Sequence, residues 1–120
     1  MEEKNHIKIT EDQGIVIITF MDQTISGVSD VENLSGQIKA YISDNYPRKV
    51  VVNFQNVKFF SSQTLGMLLD LWRKMQGYNG RIVISGINPQ LHRVFKITNL
   101  DKIFSFYPDI ESACGALKEN

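Results

Sequence analysis

The apolar positions of this chain change their spacing several times, and each change marks an element. Ile7–Thr10 and Ile15–Phe20 are rich in β-branched residues, which suit a pleated, half-buried surface. Glu11, Asp12, Gln13 and Gly14 lie between them and predict a turn, with Gly14 where a positive φ is needed. A polar connection from Met21 to Asp30 carries Ser26, Gly27 and Ser29 as breakers. Val31, Leu34, Ile38, Tyr41 and Ile42 then follow helical spacing, predicting a helix from Val31 to about Asp44 capped by Ser29 or Asp30.

Pro47 ends that region, and Lys49–Phe54 follows with three consecutive valines. An apolar run without polar alternation reads as a strand buried on both faces, as in parallel sheets. A short loop leads through Phe59 and Phe60 to a second helix, from about Ser62 to Gln76, stopping at Gly77. Arg81–Ser85 reads as a strand, and Pro89–Phe95 as a short helix with proline in its first turn. Ile103–Tyr107 is a further short strand, and Asp109 caps a last helix from Ile110 to about Lys118. The order β-β-α-β-α-β-α-β-α implies an α/β fold: a mixed, mostly parallel sheet with helices packed on it and an antiparallel hairpin at one edge. With no internal repeat, low-complexity tract or Pro/Gly-rich linker, residues 1–120 read as a single domain.

Composition narrows the function classes. Thirteen basic and thirteen acidic residues give a net charge of zero, and no Lys/Arg cluster supplies the field a nucleic acid requires. The same neutrality lowers repulsion between copies, so weak homodimerisation is expected. The single cysteine, Cys114, allows no intrachain disulfide and reads as a small core residue. A charged N-terminus, and no stretch near the roughly 20 apolar residues of a membrane span, lead to the expectation of a cytoplasmic protein without a membrane partner.

The most informative segment runs from Val50 to Met75. A buried strand ends in a loop that delivers two serines to a helix start, at the strand ends where α/β sheets meet ligands and partners. Within that helix Leu65, Leu68, Leu69, Trp72 and Met75 form the expected core stripe. Met67 and Leu71 fall off it, which suggests either an outward protein-binding surface or cover by a neighbouring helix.

Here the chain resembles the STAS domains of bacterial anti-sigma factor antagonists. Their hallmark is a valine-rich strand, then Asp-Ser-Ser/Thr-Gly-Leu-Gly opening a helix. The corresponding run is Phe59-Phe60-Ser61-Ser62-Gln63-Thr64-Leu65-Gly66 after Val50-Val51-Val52-Asn53-Phe54. The likeness continues through Gly80–Ile87 and Val94–Leu100 to Phe104, Phe106, Tyr107, Glu111 and Ala113. The resemblance implies a bacterial partner-switching regulator of transcription rather than an enzyme, with no cofactor. Its partner would be a serine kinase of the histidine-kinase-like ATPase type that doubles as an anti-sigma factor, opposed by a serine phosphatase. It places the phosphorylated residue at Ser62 and the partner surface at Ser61, Ser62, Gln63, Thr64, Gly66, Met67 and Leu71. Ser61 stands where the family has Asp, Gln63 where it has its second Ser/Thr, and Thr64 where it has Gly. Ser61 and Thr64 therefore become rival hydroxyls, although the Ser61 hydroxyl can still cap the helix. Two alternatives remain open: a STAS scaffold that is never phosphorylated, and a STAS module that binds a small ligand.

Other signals carry less. His6 and His92 lack companions at metal-ligand spacing. The flanks of Ser62 lack the Gly-x-Ser-x-Gly elbow of a hydrolase. Asn88 and Asn99 read as loop and cap residues, and Asp101 and Asp109 as surface charges or helix starts.

Overall fold

The computed structural model describes residues 6–118. β1 (Ile7–Asp12) and β2 (Ile15–Phe20) form the expected hairpin, tighter than the sequence suggested. Asp12 pairs with Ile15, leaving only Gln13 and Gly14 in the turn. Both have positive φ, 53° and 83°, the geometry whose twist matches that of the flanking strands. Because Gln13 accepts this conformation, Glu11 and Asp12 remain in the strand.

The following β3 (Thr24–Ile25) is two residues long, and α1 runs from Val28 to Asn45. The helix starts three residues earlier than expected, so Ser29 and Asp30 lie inside it and neither is its cap. Gly27 holds the cap position at φ 88°, a backbone turn that supplies the helix entry without a side-chain bond. At the other end Tyr46 adopts φ 46° and returns its N–H to the Ile42 carbonyl, just before Pro47.

β4 (Lys49–Asn53) is followed by β5 (Phe59–Phe60), α2 (Ser62–Gln76), β6 (Arg81–Ser85) and α3 (Pro89–Ile97). A 3-10 turn at Leu100–Lys102, β7 (Phe106–Tyr107) and α4 (Ile110–Lys118) complete the chain. The main sheet has the order β1-β2-β4-β6-β7, parallel except for the β1–β2 pair. β3 and β5 pair in parallel as a separate two-residue ladder, too short to leave any periodicity in the sequence. β7 likewise keeps only two residues of the expected Ile103–Tyr107 strand, since Ile103 closes the 3-10 turn. α3 and α4 are capped as expected of Asn88 and Asp109. Asn88 Oδ1 accepts from Leu91 N at 2.8 Å, and Asp109 Oδ1 from Ser112 N at 2.7 Å.

Alternation along the central strands feeds two cores. Val16, Ile18, Val50, Val52, Ile82 and Ile84 face α1, α2 and α3. Ile15, Ile17, Val51 and Val83 face α4, where they meet Ala113, Cys114 and Leu117. Burial pushes the Cys114 thiol above its ordinary pKa, in keeping with a core role.

The buried face of α2 is turned relative to the sequence expectation. Leu65, Leu68 and Met75 are buried as foreseen, but so are Thr64, Met67 and Leu71. Leu69 and Trp72 are only partly covered. The outward Met67/Leu71 surface is thus corrected: they are 3 % and 0 % exposed, because α1 packs alongside α2 and the core extends between the helices.

Leu71→Ala is expected to cost about 2–5 kcal/mol in urea unfolding, the range for a buried leucine, and not the near-zero change of a surface residue. Gly86 has φ 68°, and a Cβ there would sit 2.8 Å from Asn53 Oδ1 and 3.1 Å from Gln55 N. Gly86→Ala should therefore destabilise the fold by about 1–3 kcal/mol in the same measurement. The Ser112 hydrogen bonds hold the exposed Asp109 carboxyl below its ordinary 3.8. The contribution of this cap is complete above the unfolded carboxylate value and is lost as pH falls through the lowered native one. Hydrogen exchange at the Ser112 amide should accelerate relative to the rest of α4 in that acid window, and not in Asp109→Ala.

Candidate functional site

The site grows from the end of β4. Phe54 continues the buried strand, and its ring lies 5.0 Å from that of Phe20 and 5.8 Å from that of Phe60. Phe60 meets Phe95 of α3 edge-on at 5.9 Å, so the loop after β4 is anchored by rings on both sides. Hydrogen bonds hold the rest of it. Lys58 N donates to Gln23 O at 2.7 Å, Ser61 N to Ile25 O at 2.9 Å, and Asn56 Nδ2 to Phe20 O at 3.1 Å. Asn88 Nδ2 adds a bond to Val57 O at 3.3 Å. Strand alternation in β5 then sets the outward residues: Phe60 is buried, and Phe59 is 54 % exposed.

Ser61 occupies the N-cap position of α2 in an extended conformation, but its side chain makes no capping bond. Its Oγ is buried and has no hydrogen-bond partner among the described residues. The expectation that the Ser61 hydroxyl caps the helix is therefore corrected; the backbone closes the turn instead, with Thr64 N donating to Ser61 O at 3.0 Å. Ser62 and Gln63 are exposed, as is Gly66 one turn further along. Thr64 is fully buried. Of the three candidate hydroxyls, only Ser62 is presented to solvent; Thr64 and Leu71 are withdrawn from the surface, and Met67 shows only an edge, at the floor of a groove between α1 and α2.

A groove of ≈ 570 Å³ runs from this point between α1 and α2. Glu32, Ser35 and Lys39 line it from α1, and Gln63, Gly66 and Asp70 from α2. Lys39 Nζ reaches Asp70 Oδ2 at 3.5 Å, and Asp70 also faces Arg73 at 3.6 Å. Gly66 lies on this groove wall, one turn along α2 from Ser62, with open space around it. The α1 residues escaped the sequence reading because nothing in their spacing marks them apart from an ordinary solvated helix face. Phe59 was legible only as half of an in–out pair with Phe60.

Electrostatically the site suits an anion. The first turn of α2 contains no acidic residue, and its leading N–H groups and helix dipole present positive potential beside Ser62. Among the described residues no group of three or more His, Cys, Asp or Glu side chains is placed to hold a metal ion. His6 does have a carboxylate companion that its sequence spacing concealed: its Nδ1 bonds Asp22 Oδ2, across the start of the sheet. His92 packs against the Phe106 ring at 4.3 Å. No helix among the described residues is long and apolar enough to cross a membrane.

Comparison with known proteins agrees with this architecture. The anti-sigma F factor antagonist of Paenibacillus polymyxa is 22% identical over 112 residues, covering 93% of this chain and 94% of the relative. An anti-sigma-factor antagonist domain protein from Planctomyces limnophilus superposes with a TM-score of 0.85 at 23% identity, over 93% of this chain and 97% of that one. The phosphorylated form of the Bacillus cell fate determinant SpoIIAA superposes with a TM-score of 0.73 at 19% identity, over 92% and 98%. These superpositions share the mixed sheet and its helices. Residues 6–113 match the STAS domain, and the chain belongs to that family.

Proposed function

We propose that this protein acts as an anti-sigma factor antagonist in the cytoplasm, binding a serine kinase of the histidine-kinase-like ATPase type and switched by phosphorylation of Ser62. The observation that carries the reading is the sorting of the hydroxyls: Ser62 is exposed, Thr64 is fully buried and the Ser61 Oγ is enclosed. A kinase reaching the rim of α2 meets Ser62 first. An anti-sigma factor partner is supported by the name of the Paenibacillus relative, and phosphorylated SpoIIAA is a precedent for the modification on the same fold.

The chemistry of the rim fits a switch that leaves the fold intact. A phosphate adds about −1.5 to −2 charges at pH 7. At Ser62 it would meet helix N–H groups and the positive end of the dipole, so the modified form is tolerated locally. The change would instead be felt by a partner seated on Ser62, Gln63, Gly66 and the exposed Phe59. A serine phosphatase would restore the binding form. A second reading, an unphosphorylated scaffold, draws on Ser61: the family's Asp is replaced here by a side chain that does not cap the helix.

A pull-down from host lysate with wild type, Ser62→Ala and Ser62→Asp as baits separates the two. The switch predicts one ATPase retained by wild type and Ser62→Ala and lost with Ser62→Asp, with phosphate mapped to Ser62 by mass spectrometry. Equal retention by all three baits would overturn the switch and favour the scaffold.

A further inference from the structure

On the side of the sheet away from α2, a row of polar residues crosses the ends of β2, β4 and β6 and the start of β1. Pairing registers Lys8 of β1 with Thr19 of β2, Thr19 with Asn53 of β4, and Asn53 with Ser85 of β6. One step back along the strands the same face is apolar, with Ile17 opposite Val51 and Val51 opposite Val83. A sheet face that turns from aliphatic to polar along a whole row requires a reason, because each buried polar group must find a partner.

Two members of the row account for each other. The Ser85 hydroxyl donates to Asn53 Oδ1 at 3.1 Å, and Gln55 N donates to the same oxygen at 3.3 Å. Two donors on one atom fix the amide orientation, since a flipped amide would set N–H against N–H. Asn53 Nδ2 is left buried with no acceptor among the described residues, on a side chain that is fully buried. Its donor capacity is unused on a covered strand, next to the side of the sheet that α4 covers less. α4 packs over β4, β6 and β7, and less over β2, so a crevice of ≈ 280 Å³ remains above the β1–β2 side.

Asn53 lines that crevice together with Lys8, Thr19 and Gln55, and Ile17, Met21 and Ile110 supply its apolar wall. Lys8 is the one charged side chain lining it among the described residues. The polar complement therefore combines the unused Asn53 donor and a single positive charge with the hydroxyls of Thr10 and Thr19 and the amides of Gln55 and Asn56, beside a hydrocarbon surface. The volume is at or below the ~300–1,000 Å³ of sites that take drug-sized ligands, which calls for a small molecule. One cation matches the single charge of a carboxylate better than the two of a phosphate, and an apolar wall matches a short hydrocarbon tail.

We propose that this crevice binds a small organic carboxylate, held by Lys8 Nζ and the Asn53 amide, with its apolar part against Ile17, Met21 and Ile110. The site is separate from Ser62 and stands or falls independently of the partner switch. Its far wall is the Gln55–Asn56 segment that leads to β5 and α2, so a bound acid would rest against the support of the Ser62 loop.

The test is a titration of the full chain with butyrate, followed in 1H–15N spectra at the Asn53 side-chain amide and the Thr19 and Asn56 backbone amides. Acetate and inorganic phosphate serve as parallel probes. Saturable shifts confined to these groups are expected with butyrate, weaker binding with acetate, and none that saturates with phosphate. Lys8→Gln, an exposed substitution, should weaken butyrate by about tenfold while leaving the rest of the spectrum in place. Thr19→Val on the neighbouring strand checks the same site if the first variant perturbs the hairpin. Linear, unsaturable shifts, or affinity unchanged in both variants, would overturn the site. Saturation with phosphate but not butyrate would overturn the carboxylate assignment.

Discussion

The rest of the structure depends on the complete burial of β4. Val50, Val51, Val52 and Asn53 are each 0 % exposed, between parallel neighbours on both sides and helices on both faces. Removing a valine side chain from water contributes about 1.5–3 kcal/mol, so this short strand alone commits several kcal/mol to one placement. It can be satisfied only if alternate residues feed two separate cores. Val50 and Val52 join α1, α2 and α3, while Val51 joins α4. A slip of one residue would exchange the two sets and turn Asn53 into the larger core.

The functional rim follows from how that strand ends. Beyond Asn53 the chain keeps its backbone partners through bonds to Gln23, Ile25 and Phe20, and rings through Phe54, Phe60 and Phe95. The loop thus enters α2 from a fixed support, and in–out alternation decides what is offered. Phe60 and Thr64 turn inward; Phe59 and Ser62 turn outward. Under the proposed function, a modification at Ser62 would change the surface without disturbing the layer beneath.

The same strand end serves two faces with different chemistry. Toward α2 it supports a rim of free N–H groups at a helix start. Toward α4 it carries the row of Lys8, Thr19, Asn53 and Ser85, in which Gly86 permits the close approach that Asn53 requires. Thr19, Asn53 and Ser85 lie at the carboxyl ends of parallel strands, where α/β sheets place their binding chemistry, and Lys8 joins them from the start of the antiparallel β1.

Local pattern was enough for much of this. The valine run announced a doubly buried strand, the β-branched pairs announced the hairpin, Pro89 announced the start of its helix, and Asp109 announced the last helix through capping chemistry that needs only three residues. The motif around Ser61 and Ser62 likewise indicated the STAS family and its rim. What the sequence did not reveal depends on contacts between distant segments. The entry of α1 through Gly27, the β3–β5 ladder, the rotation that buries Met67 and Leu71, the enclosure of the Ser61 Oγ and of Thr64, and the His6–Asp22 bond each involve a backbone conformation or a partner many residues away. Periodicity reports which residues share a face of one element. Which of those faces meets another element, and which meets water, is settled only when the elements pack.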